Sequence, residues 1–146
     1  AADLAVEKNP VNLTKLHSLL RSEDAGIRYW GVVGCFLLGP EIAVDKARYQ
    51  ALLDDSCHDA RAMAAWHILK LGDKKAGLSC LEQLLHDHSY ASLAVLNILD
   101  WMGDDARKLM PTLANWKPTD DYTARLQSSL LEKHGHSSKT PLKSSK

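Results

Sequence analysis

NPVNLTKLHSLLRSEDAGIRYWGVVGCFLLG, residues 9–39, spells out one complete pair of helices in its punctuation. Asn9 is a helix cap, and Pro10 fits the first helical position, where a missing N–H costs nothing. Leu13, Leu16, Leu19 and Leu20 then fall on one face of a 3.6-residue period, and Asn12, Lys15 and Ser22 on the other. A polar turn follows, with Asp24 as the next cap. A second helix opens near Ala25 and is apolar to Leu38. Gly39 ends it, at a position where a residue without Cβ takes positive φ without strain. Gly31 and Gly34 lie inside this second helix. Each would cost about 1 kcal/mol against alanine in an exposed helix. Close packing against another helix explains them best, and a kink is the lesser reading.

The same pattern recurs along the chain. AAWHILKLG (64–72), LNILDWMG (96–103) and LQSSLLEKHG (126–135) each close on a glycine. Gly39, Gly72, Gly103 and Gly135 therefore recur at spacings of 33, 31 and 32. A period in this range marks stacked supersecondary units. First helices are read in LTKLHSLLRS (13–22), YQALLDDS (49–56), LSCLEQLLHD (78–87) and KLMPTLANW (108–116), and the Leu-Leu pairs at 19–20, 52–53 and 84–85 keep step. Second helices begin near Ala25, Ala60, Ala91 and residues 119–121, with Asp24, Asp59 and Ser89 as caps for the first three. Residues 62–69 and 91–99 are apolar around most of their circumference, as a middle layer touched from several sides requires.

Arg28 precedes Gly39 by the same interval as Arg61 precedes Gly72, and Asp55 lies in the turn before Arg61. Such a carboxylate and guanidinium tie an inter-helix turn to the helix after it. The fourth unit is degraded. Pro111 falls inside its first run and predicts a broken or late-starting helix near 112–116. The last helix, about 121–134, places Tyr122, Leu126, Leu130 and Leu131 on one side.

These signals predict an all-α chain, an alpha-alpha superhelix of about four helical hairpins. The units run about 10–39, 40–72, 73–103 and 104–135, forming a repeat domain over 10–135. Residues 1–9 read as the remnant of a preceding helix or linker. Residues 136–146 read as a flexible basic tail.

Composition narrows the function classes. The chain has 146 residues, 45% hydrophobic and 25% charged, and a formal net charge of zero. This is ordinary globular usage, and the length suffices to bury about 68% of the unfolded surface. Lys133, Lys139, Lys143 and Lys146 all follow Glu132, beyond which the chain holds no acid. The remainder carries 14 basic against 18 acidic side chains, a net of −4, which argues against a nucleic-acid partner. No window is apolar for the roughly 18 residues that a membrane span needs. The first residues lack the basic and apolar regions of a signal peptide. A start without Met is read as a mature fragment or an excised domain.

Candidate chemistry is sparse. Cys35, Cys57 and Cys80 form neither a disulfide framework nor a CxxC zinc signature. Cys35 and Cys80 read as buried, and Cys57 as a loop residue. The pairs His86/His88 and His134/His136 lack a third metal ligand and read as solvated turns. His67 reads as semi-buried and hydrogen-bonded, and His17 and His58 as surface positions. Trp30, Trp66, Trp101 and Trp116 occur once per unit and read as packing residues. An exposed Trp101 or Trp116 would instead mark a contact surface. Glu82 and Asp100 are the mid-helix acids that merit inspection for acid–base work. Asp104, Asp105, Asp120 and Asp121 read as solvated turn acids. No motif assigns a catalytic, cofactor-binding or metal-binding residue.

The units resemble HEAT repeats, in which the second helix opens with an apolar residue followed by arginine. Ile27-Arg28 matches this element and Ala60-Arg61 matches it loosely. The third unit has Ser92 and Leu93 there, and the fourth has Arg125 slightly late. A closer resemblance is to the C-terminal helical-repeat region of bacterial sulfatases, carried by residues 2–39 and above all by Asn12-Leu13, Lys15-Leu16 and Arg28-Tyr29-Trp30-Gly31. The likeness implies a parent that hydrolyses sulfate esters through a formylglycine made in a C/S-x-P-S-R context beside a Ca²⁺ site. None of the three cysteines has that context and no matching Asp cluster is present, so the catalytic part lies outside these residues. The implied role is a non-catalytic module contacting another protein or an adjacent domain of the same chain. Its location would be periplasmic or extracellular if the parent is an exported sulfatase, and otherwise cytoplasmic. The alternative is a helical-repeat enzyme or small-ligand binder that uses a concave face.

Overall fold

The computed structural model describes residues 1–87 and 91–135. Among them the fold is all-α, with no strand. The chain divides into two compact units, Ala1–Leu84 and Leu85–Lys146.

In the first unit, α1 spans Ala2–Val6 and α2 spans Leu13–Leu19, preceded by a 3₁₀ turn over Pro10–Asn12. Asn9 caps this turn as its side chain accepts from Val11 N at 3.1 Å, with Pro10 just behind it. Leu16 and Leu20 are buried and Leu13 and Leu19 half-buried, so the apolar stripe faces inward. Asn12 departs from the expected polar face. It is buried, and its Nδ2 donates to Glu7 Oε2 at 2.6 Å, which satisfies an amide that would otherwise be costly there.

Helix α3 runs unbroken over Ala25–Leu38, capped by Asp24, whose Oδ1 accepts from Ile27 N at 3.0 Å. It packs against α1, α2 and α5. Its two internal glycines are explained by approach rather than by a kink. A Cβ on Gly31 would lie 2.9 Å from Leu20 Cδ2, and one on Gly34 would overlap Leu16 and lie 3.1 Å from Ala5 Cα.

Helix α4 begins at Lys46, earlier than the expected Tyr49, and gives way after Gln50 to a 3₁₀ segment over Ala51–Asp54. Residues three apart share a face across this helical junction. Tyr49 and Leu52 therefore both point inward and both are buried. Helix α5, His58–Lys70, is buried from Ala62 through Ile68 without interruption. Asp59 does not cap it. The cap position is Cys57, whose N–H is taken by Asp55 Oδ1 at 2.7 Å, and Asp59 lies within the first turn. Helix α6, Lys74–His86, lies against α5 at Gly77, where a Cβ would stand 2.6 Å from the Ala65 carbonyl oxygen.

Asp55 joins elements distant in sequence. Arg28 Nε donates to its Oδ2 at 2.7 Å and Nη2 to its Oδ1 at 2.8 Å. Nη1 of the same guanidinium donates to the Ser22 and Glu23 carbonyls at 2.9 and 3.0 Å. The hydrogen-bonded partner of Asp55 is thus Arg28, in the preceding helix pair. Arg61, the expected partner, gives its Nε to the Leu53 carbonyl at 2.9 Å.

The second unit contains α7 (Ala91–Met102), α8 (Met110–Asn115) and α9 (Asp121–Lys133). A 3₁₀ helix over Gly103–Leu109 leads directly into α8. Pro111 breaks nothing, because it sits in the first turn of α8, where no intrahelical N–H is required. Ala106, Leu109, Met110 and Leu113 are buried. Asp120 caps α9 in a capping box with Thr123. Buried Gln127 donates through Nε2 to the Leu113 and Trp116 carbonyls at 2.6 and 2.8 Å, closing the end of α8. Tyr122, expected on the apolar side, is 54% exposed, while Thr123 turns inward for the capping box.

Gly39, Gly72, Gly103 and Gly135 all have positive φ, at 92°, 90°, 56° and 74°. Each stands just past the end of its helix, as the repeating punctuation predicts. The expected cap Ser89, like His88, His136 and the basic tail, lies outside the described residues.

Candidate functional site

A cleft of about 400 Å³ opens in the first unit between the C-terminal half of α2 and the α4 segment. His17, Leu20 and Arg21 line one side, and Asp45, Ala47, Arg48, Ala51 and Leu52 the other. His17 enters it from the last turn of α2, and Arg21 from the turn that follows that helix. Arg48 Nε is held by Asp45 Oδ2 at 2.7 Å.

Behind the cleft lies a buried set of polar and aromatic groups. His17 Nε2 is 3.0 Å from the Tyr49 hydroxyl. The Cys35 thiol adjoins this hydroxyl. Burial pushes the Tyr49 phenol and the Cys35 thiol up, which keeps both protonated. A thiol held this way is not a nucleophile. His17, expected at the surface, is instead half-buried by its contact with Tyr49. Burial, reinforced by the Arg48 charge, lowers its pKa.

His67 is fully buried, with its ring centroid 4.3 Å from that of Tyr49 in an edge-to-face contact. Its Nε2 lies 3.0 Å from the Ala43 carbonyl, so that nitrogen carries the proton and donates it. Nδ1 has no partner. Desolvation lowers the pKa of His67 more than the Ala43 bond raises it. The unfolded chain therefore takes up a proton here below about pH 6.5, and the folded chain does so only at lower pH. Stability is full above that value and falls on acidification, by about 1.4 kcal/mol per pH unit for each excluded proton. Asp55, held below the usual carboxylate range by Arg28, loses its contribution only below about pH 3.8. Urea unfolding should thus show a free energy that declines as pH falls below about 6.5, and His67→Gln should flatten that decline. An unchanged slope in that variant would refute this assignment.

Elsewhere the residues singled out from sequence do not converge. Trp66 and Trp116 are buried, Trp30 is half-buried and Trp101 is 62% exposed. Asp100 and Lys133 form an ion pair of 2.7 Å with both side chains about half-exposed, so the acid faces no apolar pocket. Glu82 is half-buried, His86 exposed and His134 half-buried. Cys35 and Cys80 are buried and Cys57 is half-buried. Among the described residues no three His, Cys, Asp or Glu side chains are placed to hold a metal ion, and no helix is long and apolar enough to cross a membrane.

The residues that line the cleft, Arg21, Asp45 and Arg48, and the phenol behind it, Tyr49, are not flagged by any sequence motif. A usable signal exists for the last. Counting by the repeat, Tyr49 takes the slot held by Leu16 in the unit before and by Leu81 in the unit after, both fully buried leucines. His67 likewise replaces Gly34 and Ile98. Two polar rings in slots that are apolar elsewhere, touching each other, mark the place where this unit departs from its neighbours.

No family model, curated protein or solved structure matches this chain in comparisons with known proteins.

Proposed function

We propose that the chain is a non-catalytic helical-repeat module of HEAT-like type, which contacts an adjacent sulfatase-like domain of its own polypeptide. The observation that carries the contact role is Trp101. Lys70 precedes it and Lys133 follows it by one repeat, so its slot holds exposed lysines in two other units. In that slot a tryptophan leaves 62% of its surface accessible at the end of α7, where it adds little to the core. Large aromatic side chains at such positions anchor protein contacts. The sulfatase-like identity of the partner rests on the resemblance of residues 2–39, and the superhelical arrangement on the glycine period.

The test begins with the reading frame upstream of Ala1, which should encode a sulfatase-like domain with a C/S-x-P-S-R sequence. That domain and this chain, produced separately, should associate in calorimetry. Trp101→Ala should weaken the association by about thirtyfold, as expected for an aromatic anchor. Absence of such a domain, or unaltered affinity in the variant, would overturn the reading. The chain alone should not hydrolyse sulfate esters above background.

A further inference from the structure

Beyond the contact role, we propose that the cleft between α2 and α4 binds a small organic carboxylate with a short apolar tail. Its charge is suited to one anion. Arg21 and Arg48 contribute two positive charges and Asp45 one negative, so a single positive charge remains with His17 neutral. The Arg21 side chain is exposed and makes no hydrogen bond or ion pair among the described residues. Arg48 commits Nε to Asp45, which orients its fork and leaves the terminal nitrogens for a second acceptor. Leu20 and Leu52 supply apolar wall, and the volume of about 400 Å³ accommodates a chain of several carbons. Inorganic anions would use the arginines but not the wall.

His17 couples the site to protons. The charged or titratable groups around it are Arg21 from the turn after its helix, Asp45, Arg48 and Tyr49 from the α4 segment, Cys35 from α3 and His67 from α5. Burial and Arg48 keep its imidazole neutral, and a carboxylate in the cleft offsets both by favouring the imidazolium. Binding then takes up a proton and tightens as pH falls, by at most about tenfold per unit.

The experiment is a titration of the full chain with hexanoate, followed by the imidazole resonances of His17, with hexanamide and inorganic phosphate as parallel probes. Hexanoate should saturate and shift His17, with hexanamide at least about tenfold weaker because it lacks the charge. Phosphate should be weaker than hexanoate. Arg21→Ala, at an exposed position that leaves the fold intact by circular dichroism, should weaken hexanoate about tenfold, as should Arg48→Ala. Affinity should be higher at about pH 6 than at about pH 8. Equal binding of hexanoate and hexanamide, stronger binding of phosphate, or unchanged affinity in Arg21→Ala would overturn the proposal. The contact role of Trp101 stands or falls separately, since its test reads a protein association in the other unit.

Discussion

Arg28→Ala should destabilise the protein by about 3–5 kcal/mol in urea unfolding, the largest single effect expected for a polar side chain here. An exposed ion pair would contribute only about 0–1 kcal/mol. This pair is not exposed. The side chains retain 13% and 6% of their accessible surface. Removing the guanidinium leaves the Asp55 carboxylate buried with one backbone partner, Cys57 N. It also strips the Ser22 and Glu23 carbonyls of their donor. Arg28→Lys should recover little, because a single ammonium cannot reproduce two parallel bonds to the carboxylate and two more to the turn. Asp55→Asn should be milder than Arg28→Ala, since an amide oxygen still accepts from Cys57 or Arg28. A double variant, Arg28→Met with Asp55→Leu, should recover part of the loss, because no buried charge is then left alone. If Arg28→Ala costs under about 1 kcal/mol, the clasp is solvent-screened and its structural role is refuted.

Gly77→Ala should also destabilise, by about 2–3 kcal/mol. This inverts the usual sign, since alanine is favoured over glycine inside a helix by about 1 kcal/mol. The Cβ would stand 2.5 Å from Leu69 Cγ and 2.6 Å from the Ala65 carbonyl. The leucine can rotate away. A backbone oxygen in a helix buried along its length cannot, so α6 must lift from α5 and lose contact along the shared face. Gly26 provides the internal control. It is exposed in the first turn of α3, and its Cβ would meet only Asp24 Oδ1 at 3.2 Å. Gly26→Ala should change stability by less than about 1 kcal/mol, with a gain the expected sign. Equal effects at the two sites would show that α6 yields freely.

Much of the architecture can be read from local signals because these helices begin and end by local chemistry. Asn9 with Pro10, Asp24, and the four glycines act within one turn of their own position, and each is found where the pattern places it. Gly31 and Gly34 also declare themselves, since glycine in a helix interior needs a compensating close approach. What escapes the sequence depends on distant partners. Asp55 pairs with a side chain of the preceding helix pair, and nothing nearby distinguishes Arg28 from Arg61. Asn12 turns inward because Glu7 meets it, and His17 because Tyr49 does. Pro111 is misleading for another reason. Its effect on a helix depends on position within that helix, and the preceding 3₁₀ segment shifts the helical start to Met110. The cleft is the least legible feature, being assembled from two helices whose facing side chains carry no motif. Only the replacement of leucine by Tyr49 in the repeat hints at it.

Helix α5 has a further consequence. From Ala62 through Ile68 none of its faces is wet, and small alanines make up much of it. On its own such a segment would gain nothing by coiling, because the surfaces that dry it belong to α3, α4 and α6. Its order is therefore borrowed. The smallest piece of this unit able to hold itself together is larger than a single helix pair, and cooperativity across Ala1–Leu84 is built in by the absence of any solvent-facing side from Ala62 through Ile68.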